Sequence, residues 1–278
     1  MAAMILNELA VSSHPCSITS IHVNECGGFI CGSYQLIEGD LQSDSYRTGS
    51  LDYYSYHGQI LSRKASYECD SGVLDVKCSK QSRIIMAAMS DSSLEVFKLD
   101  GNEDHFEFSL HANVRKSDEG LFLSLSCDDR NDENTAISSN VAVSTQASSV
   151  ILYDLCSDGL KEKACQRDAH RMFGSAVPAW VVATDIHESN SRLLSGGDDC
   201  QFKLWDSRCL GSGSPQLVNR IHTAGVTSLE WHPRDSNLFA SGSYDEQCYV
   251  WDIRSFKTPL TNISTGKGLF YFILPYLI

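Results

Sequence analysis

SGGDDCQFKLWD at residues 195–206 and SGSYDEQCYVWD at residues 241–252 are two copies of one pattern, 46 residues apart. Each copy has a run of small residues, an acidic turn and an alternating segment that ends in Trp-Asp. Arg208 and Arg254 extend the match at the same offset. Alternation of apolar and polar residues is typical of a half-buried β-strand. The repeat therefore predicts one antiparallel β unit that is written twice.

The repeat period indicates a β-propeller. Units of about 40–45 residues with four short strands are typical of propeller blades. Phe97 and Tyr153 replace the Trp in two weaker copies upstream. The weaker copies lie at residues 30–36 with 51–56, at 88–97 and at 141–154. Together the copies predict five blades, and because helix signals are nearly absent we expect an all-β fold.

The second strong copy resembles a WD-repeat blade, in which a hydrogen-bonded His–Ser–Asp–Trp network ties the blade together. The matching residues here are His222, Ser241, Asp245 and Trp251 in one copy, and His170, Ser195, Asp199 and Trp205 in the other. The resemblance implies a structural role for all eight. A buried Asp–His pair of this kind imitates a catalytic dyad in sequence, and we do not interpret it as one.

WD-repeat rings usually have seven blades, so five predict an incomplete propeller over residues 1–264. Residues 256–264 are expected to form an outer strand or a loop that leads into another blade. Residues 265–278 form a divergent apolar tail, and we expect a chain truncated at its C-terminus. The apolar run from Leu269 to Ile278 is shorter than the roughly 20 residues that span a bilayer, which argues against a membrane anchor.

The net charge and the spacing of the cysteines argue against some kinds of partner and site. The chain has 22 Lys and Arg against 35 Asp and Glu, a formal net charge of −13, and no basic cluster. Such a surface repels phosphate backbones, so nucleic acid is not an expected partner. The 11 cysteines form no CxxC pair and no zinc-finger spacing, so we expect free thiols in a reducing compartment and no metal site. A cytoplasmic location is expected, with the nucleus as the alternative.

The sequence lacks the short motifs that mark α/β-hydrolases and nucleotide-binding enzymes. There is no GxSxG elbow, no P-loop and no GxGxxG, so these motifs alone indicate an interaction protein. Asp198 and Glu246 flank the structural carboxylates, and as turn residues they are either solvated or project at the propeller mouth, where loops carry function. Trp180 is expected to be a core residue rather than a site residue.

Several blocks resemble one WD-repeat family more closely. They are CGSYQL at 31–36, AH at 169–170, AW at 179–180, SGGDD at 195–199, HTAGV at 222–226, GSYDE at 242–246, WDIR at 251–254 and PL at 259–260. These blocks are similar to the diphthine methyl esterase family, called diphthine methyltransferase under older naming. Pro178 departs from the acidic residue of the family, and residues 171–177 lengthen the spacing between His170 and Trp180.

The resemblance implies a specific reaction. Family members hydrolyse the methyl ester of over-methylated diphthine on a modified histidine of translation elongation factor 2. The freed carboxylate is the group that a separate ATP-dependent amidase converts to diphthamide. No cofactor is implied, and elongation factor 2 and other diphthamide-pathway proteins are the expected partners. The alternative function is a non-catalytic scaffold that docks elongation factor 2 or a ubiquitin-ligase adaptor.

The resemblance assigns no catalytic residue, so the site is predicted from the residues themselves. Ester hydrolysis needs a base that activates water and groups that stabilise the oxyanion. Asp198 and Glu246 are the candidate catalytic residues, either of them as general base. Tyr244 and His170 are the candidate substrate-binding residues on the rim.

Overall fold

The structure is a computed structural model. It describes residues 13–23, 26–39, 45–57, 60–79, 83–102, 105–128, 139–185 and 191–266. The chain divides into two compact units, Met1–Ser117 and Asp118–Ile278. Within the described ranges the strands form five four-stranded sheets, and the only helical segment is a 3-10 turn, Ile253–Ser255. The all-β expectation and the count of five blades are confirmed.

The first unit contains two antiparallel sheets, blade 1 and blade 2, each with its strands in chain order. Blade 1 consists of β1 (His14–Val23), β2 (Cys26–Ile37), β3 (Tyr46–His57) and β4 (Ile60–Cys69). Blade 2 consists of β5 (Val73–Cys78), β6 (Ile84–Met89), β7 (Ser93–Gly101) and β8 (Phe106–Arg115).

The second unit contains blades 3, 4 and 5 and a small hairpin. Blade 3 consists of β9 (Phe122–Cys127), β10 (Ser139–Thr145), β11 (Val150–Cys156) and β12 (Gly159–Gln166). The hairpin is formed by β13 (Arg171–Met172) and β14 (Ser175–Ala176). Blade 4 consists of β15 (Ala179–Thr184), β16 (Arg192–Gly197), β17 (Phe202–Asp206) and β18 (Leu217–Asn219), and blade 5 of β19 (Val226–Trp231), β20 (Leu238–Ser243), β21 (Gln247–Asp252) and β22 (Thr261–Ser264).

The second strand of blade 4 carries small residues because neighbouring segments approach it closely. A Cβ on Gly196 of β16 would lie 2.7 Å from Val226 Cγ1 at the start of blade 5. A Cβ on Gly197 would lie 2.6 Å from His170 Cγ and 2.8 Å from the Pro178 carbonyl oxygen. The Ser-Gly-Gly run is therefore a packing requirement.

Gly197→Ala is expected to lower the free energy of unfolding by about 1–3 kcal/mol, because its methyl group must displace a buried ring or a backbone carbonyl. Gly27→Ala is the matched control, since a Cβ at Gly27 meets no heavy atom within 4 Å. Urea unfolding of the two variants measures the difference. Equal stability would show that blade 4 adjusts freely around residue 197.

The segment after the last Trp-Asp completes blade 5. Phe256 is buried beside Phe202, Phe239 and Trp251, and β22 pairs with β21. Residues 256–264 therefore supply the outer strand, the first of the two predicted alternatives. The predicted apolar run from Leu269 to Ile278 lies outside the described residues. Within the part of the chain that the structure describes, no helix is long and apolar enough to cross a membrane.

Candidate functional site

Blade 4 contains a closed network of buried hydrogen bonds. His170 Nδ1 lies 2.7 Å from Asp199 Oδ1, and His170 Nε2 lies 2.8 Å from Ser195 Oγ. Trp205 Nε1 donates to the same Ser195 oxygen at 2.8 Å. Because a carboxylate accepts, Nδ1 carries the imidazole proton and Nε2 accepts from the serine hydroxyl. The chain of donors and acceptors joins the loop before blade 4 to its second and third strands.

Blade 5 repeats this network. His222 Nδ1 lies 2.9 Å from Asp245 Oδ2, and His222 Nε2 lies 2.9 Å from Ser241 Oγ. Trp251 Nε1 donates to Ser241 Oγ at 2.9 Å. The two networks thus contain the eight residues that the WD-repeat resemblance implies, four in each blade.

Asp199 is the most heavily hydrogen-bonded carboxylate of the two networks. Besides His170, its oxygens accept from Lys203 Nζ at 3.1 Å and from the backbone N–H groups of Arg171 and Gln201. Burial alone raises the pKa of Asp199, but the hydrogen bonds from His170 and Lys203 and the charge of Lys203 outweigh it and hold the pKa low. These contacts leave no role for Asp199 in proton transfer to a ligand.

Both network histidines favour the neutral form. Burial lowers the pKa of His170 and of His222 below 6.5, although the paired aspartates act in the opposite direction. Below that pH the unfolded chain binds protons that the native chain does not, so the free energy of unfolding falls as the pH drops.

Urea unfolding from about pH 7.5 to about pH 5.5 is therefore expected to show a loss of stability on acidification, chiefly below the ordinary histidine pKa. His222→Asn removes one titrating group and should flatten the slope. His105→Asn serves as the control, because His105 is exposed. A stability that is constant or rises over this range would contradict the neutral assignment.

The structure does not support His170 as a substrate-binding residue of the rim. Its side chain is fully buried, and both ring nitrogens are occupied by Asp199 and Ser195. A side chain without exposed surface cannot contact a protein substrate. His170 therefore retains only its place in the blade network.

A β-bulge determines the position of Trp180. Ala179 pairs with Gly197 and Val181 with Gly196, so Trp180 is the extra residue of β15. A bulge bends the strand and re-aims its side chain. The Trp180 indole N–H donates to Asp198 Oδ1 at 2.6 Å, so this half-buried residue orients a candidate site carboxylate.

Tyr244 of blade 5 lies beside the same carboxylate. A Cβ on Gly225 would lie 2.7 Å from Asp198 Oδ1 and 3.6 Å from Tyr244 Cδ2, so the Gly225 backbone closely approaches both side chains. Burial, and then the charge of Asp198, raise the pKa of Tyr244. We call Trp180, Asp198 and Tyr244 the Asp198 cluster.

The Glu246 side chain makes no hydrogen bond or ion pair with this cluster among the described residues. It occupies the turn of blade 5 with φ +64°, as Cys200 does in blade 4 with φ +59°, and its side chain is exposed. Among the described residues, no hydrogen bond, ion pair or electrostatic contact joins Glu246 to Asp198. The structure thus brings two of the predicted rim residues together, Asp198 and Tyr244.

The lengthened segment between His170 and Trp180 forms the β13–β14 hairpin. Arg171 pairs with Ala176 and Met172 with Ser175, and the turn residues Phe173 and Gly174 have φ +50° and +87°. Phe173 is fully exposed at the tip. Blade 5 has only Thr223 and Ala224 at this place, so the hairpin is an insertion that the repeat pattern does not predict.

Chemically, the Asp198 cluster offers a carboxylate that an indole orients, beside a partly exposed phenol. Among the described residues no group of three or more His, Cys, Asp or Glu side chains could hold a metal ion. A carboxylate and a phenol are groups that can take part in acid–base chemistry.

Comparisons with known proteins agree with the blade pattern. The family model "WD domain, G-beta repeat" matches residues 169–206 and 213–252. The crystal structure of the mitotic checkpoint complex contains a chain that matches with a TM-score of 0.63 at 14% identity, over 98% of this chain and 77% of that one. At this identity the likeness shows the fold alone.

The curated relatives are more specific. The "Diphthine methyltransferase homolog" of Dictyostelium discoideum is 28% identical over 269 residues, which are 87% of this chain and 70% of that protein. The "Diphthine methyltransferase" of Mus musculus is 35% identical over 91 residues, 33% of this chain and 18% of the mouse protein. The human protein of the same name matches at 34% over 33% of this chain and 20% of its own length. The chain is therefore similar to WD-repeat proteins named diphthine methyltransferase.

Proposed function

We propose that this chain acts in diphthamide biosynthesis and hydrolyses the methyl ester of methylated diphthine on translation elongation factor 2. The observation that carries the proposal is the match to the Dictyostelium diphthine methyltransferase homolog over 87% of the chain. Two partly exposed carboxylates in the blade turns, Asp198 and Glu246, support it. Elongation factor 2 as partner makes the cytoplasm the proposed location.

Hydrolysis fits the residues of this chain better than transfer of a methyl group. A methyltransferase needs a site for a methyl donor, and the sequence contains no GxGxxG loop for a nucleotide-like group. Hydrolysis needs only water, a base and stabilisation of the oxyanion. Both reactions involve the same ester methyl group, and the names of the relatives do not decide between hydrolysis and transfer.

The proposed step is a single ester cleavage. A carboxylate takes a proton from water as the oxygen attacks the ester carbonyl carbon. The bond between that carbon and the methoxy oxygen breaks, and the proton passes to the leaving methoxide to give methanol. The product is a free carboxylate on the modified histidine, ready for amidation.

The experiment is methanol release from elongation factor 2 that carries the methyl ester. We expect the purified chain to release methanol in proportion to the ester present. Elongation factor 2 that already carries the free carboxylate is the control and should release none. No methanol above the enzyme-free rate, from a chain that unfolds cooperatively, would overturn the proposal.

The second candidate is a non-catalytic scaffold for elongation factor 2 or for a ubiquitin-ligase adaptor. The fully exposed Phe173 on its inserted hairpin favours this reading, because exposed aromatic residues are enriched at protein interfaces. A scaffold binds elongation factor 2 with or without the ester and releases no methanol. Measuring binding and methanol release in one sample therefore separates the two functions.

A further inference from the structure

The tip of the β13–β14 hairpin carries a phenylalanine that local structure does not explain. Phe173 and Gly174 are the two central residues of the turn and have φ +50° and +87°. A two-residue hairpin turn with positive φ at both positions favours Asn, Asp or Gly at the first one, because a bulky side chain is strained there. The Phe173 side chain is also fully exposed. Backbone preference and burial thus both argue against phenylalanine at this position.

Hydrogen bonds hold the hairpin in one conformation. The Arg171 guanidinium donates to the Gly174 carbonyl across the turn and pairs with Asp168 at 3.2 Å. The Arg171 backbone N–H donates to Asp199 Oδ2 at 3.3 Å, which ties the first strand of the hairpin to blade 4. A ring on a fixed base loses less conformational entropy when it binds a partner.

The hairpin is attached to the turn that carries Asp198. After β14, the Pro178 carbonyl accepts a hydrogen bond from the Asp198 backbone N–H at 3.1 Å. Both ends of the hairpin therefore contact the turn at residues 198–199. Its two strands have two residues each, so the tip lies within roughly 10 Å of this turn along the hairpin. A folded protein that brings a side chain to Asp198 must lay the surrounding surface beside Phe173.

We infer that Phe173 is the anchor of a docking element, and that it inserts into an apolar pocket on the surface of the protein substrate beside the modified histidine. A few buried aromatic residues carry much of the binding energy of a protein interface. The inference rests on the proposed function in taking elongation factor 2 as the substrate. It assigns to the hairpin the recognition of the folded protein, separate from the chemistry at the ester.

The first test is calorimetric titration of elongation factor 2 that carries the methyl ester into the full chain. We expect Phe173→Ala to raise Kd at least about tenfold. Phe173→Leu should raise it less, because more of the apolar area remains. Ile60→Ala is the matched control, since Ile60 is 71% exposed but lies in blade 1. Unchanged affinity in Phe173→Ala would overturn the inference.

The second test separates docking from a role in stability. Phe173→Asn puts a favoured residue into the turn and removes an exposed ring, so the free energy of unfolding should stay the same or rise. Binding of elongation factor 2 should nevertheless weaken as in Phe173→Ala. Urea unfolding and calorimetry of the same samples measure both quantities. A loss of stability in Phe173→Asn, with affinity retained, would assign the ring to the fold and overturn the docking element.

Failure of this inference and failure of the proposed function are distinguishable. Binding that depends on Phe173, without methanol release, would keep the docking element and overturn the esterase. Methanol release with the same KM in the wild type and in Phe173→Ala would keep the esterase and overturn the docking element. Self-association that Phe173→Ala abolishes, with affinity for elongation factor 2 unchanged, would show that the ring binds a second copy of this chain and would also overturn the inference.

Discussion

Asp199→Ala is expected to lower the free energy of unfolding by about 3–5 kcal/mol, the cost of breaking a buried charged pair by removing one partner. The change leaves the fully buried His170 Nδ1–H without its acceptor and Lys203 without its counter-ion. It also removes the acceptor for two backbone N–H groups, those of Arg171 and Gln201. Urea unfolding monitored by tryptophan fluorescence measures the loss.

Asp206→Ala provides the comparison within the same blade. Asp206 pairs with Arg208, whose side chain is mostly exposed, and surface pairs of this kind contribute about 0–1 kcal/mol. Asp245→Ala should lie between the two at about 1–3 kcal/mol, because Asp245 holds His222 and two backbone N–H groups but no lysine. Equal losses for Asp199→Ala and Asp206→Ala would refute the structural assignment of the network.

Glu246→Gln is expected to lower kcat for ester hydrolysis by about 10²–10⁴-fold, the usual contribution of a general base. Asp198 is hydrogen-bonded by Trp180, whereas Glu246 is exposed and available for proton transfer. Asp198→Asn should instead raise KM about tenfold and leave kcat within a small factor.

Steady-state methanol release over a range of substrate concentrations separates the effect of each variant on kcat from its effect on KM. Asp206→Asn again serves as the control and should keep both constants. A loss of kcat in Asp198→Asn with Glu246→Gln unaffected would assign the base to Asp198 and contradict these expectations. The melting temperature of each variant shows whether the fold is retained.

The blade networks could be predicted because both copies resemble a WD-repeat blade, with Ser, Asp and Trp at one common offset and a His upstream of each copy. His170 and His222 both precede a Ser-Gly strand and an acidic turn, and each network joins the matching positions. The weaker blades lack this signal. Blade 1 has a different network, in which the buried carboxylate of Asp52 accepts hydrogen bonds from Ser50, Ser66 and Arg63. The repeat pattern does not predict these contacts.

The candidate site could be predicted only in part. Asp198 and Tyr244 occupy equivalent turn positions of consecutive blades, so the repeat places both at one end of the strands. Trp180 was expected in the core. Its contact with Asp198 depends on a β-bulge, and a bulge has no characteristic sequence pattern from which it could be predicted. The expectation of a core residue is therefore wrong, because the Trp180 side chain is only half-buried.

His170 shows the opposite difficulty. The sequence analysis placed it both in the blade network and on the substrate-binding rim. In the structure the lengthened loop forms the β13–β14 hairpin, and the His170 imidazole is buried inside the blade. Burial depends on how Ser148, Ser195 and Asp199 surround the residue in space, and sequence spacing does not specify that arrangement.

The most direct measurement is mass spectrometry of the diphthine-bearing peptide of elongation factor 2, before and after incubation with this chain. The account predicts that the peptide loses one ester methyl group and keeps every other modification. A peptide of unchanged mass, after incubation with a chain that binds elongation factor 2 and unfolds cooperatively, would contradict the esterase function and leave a scaffold in its place.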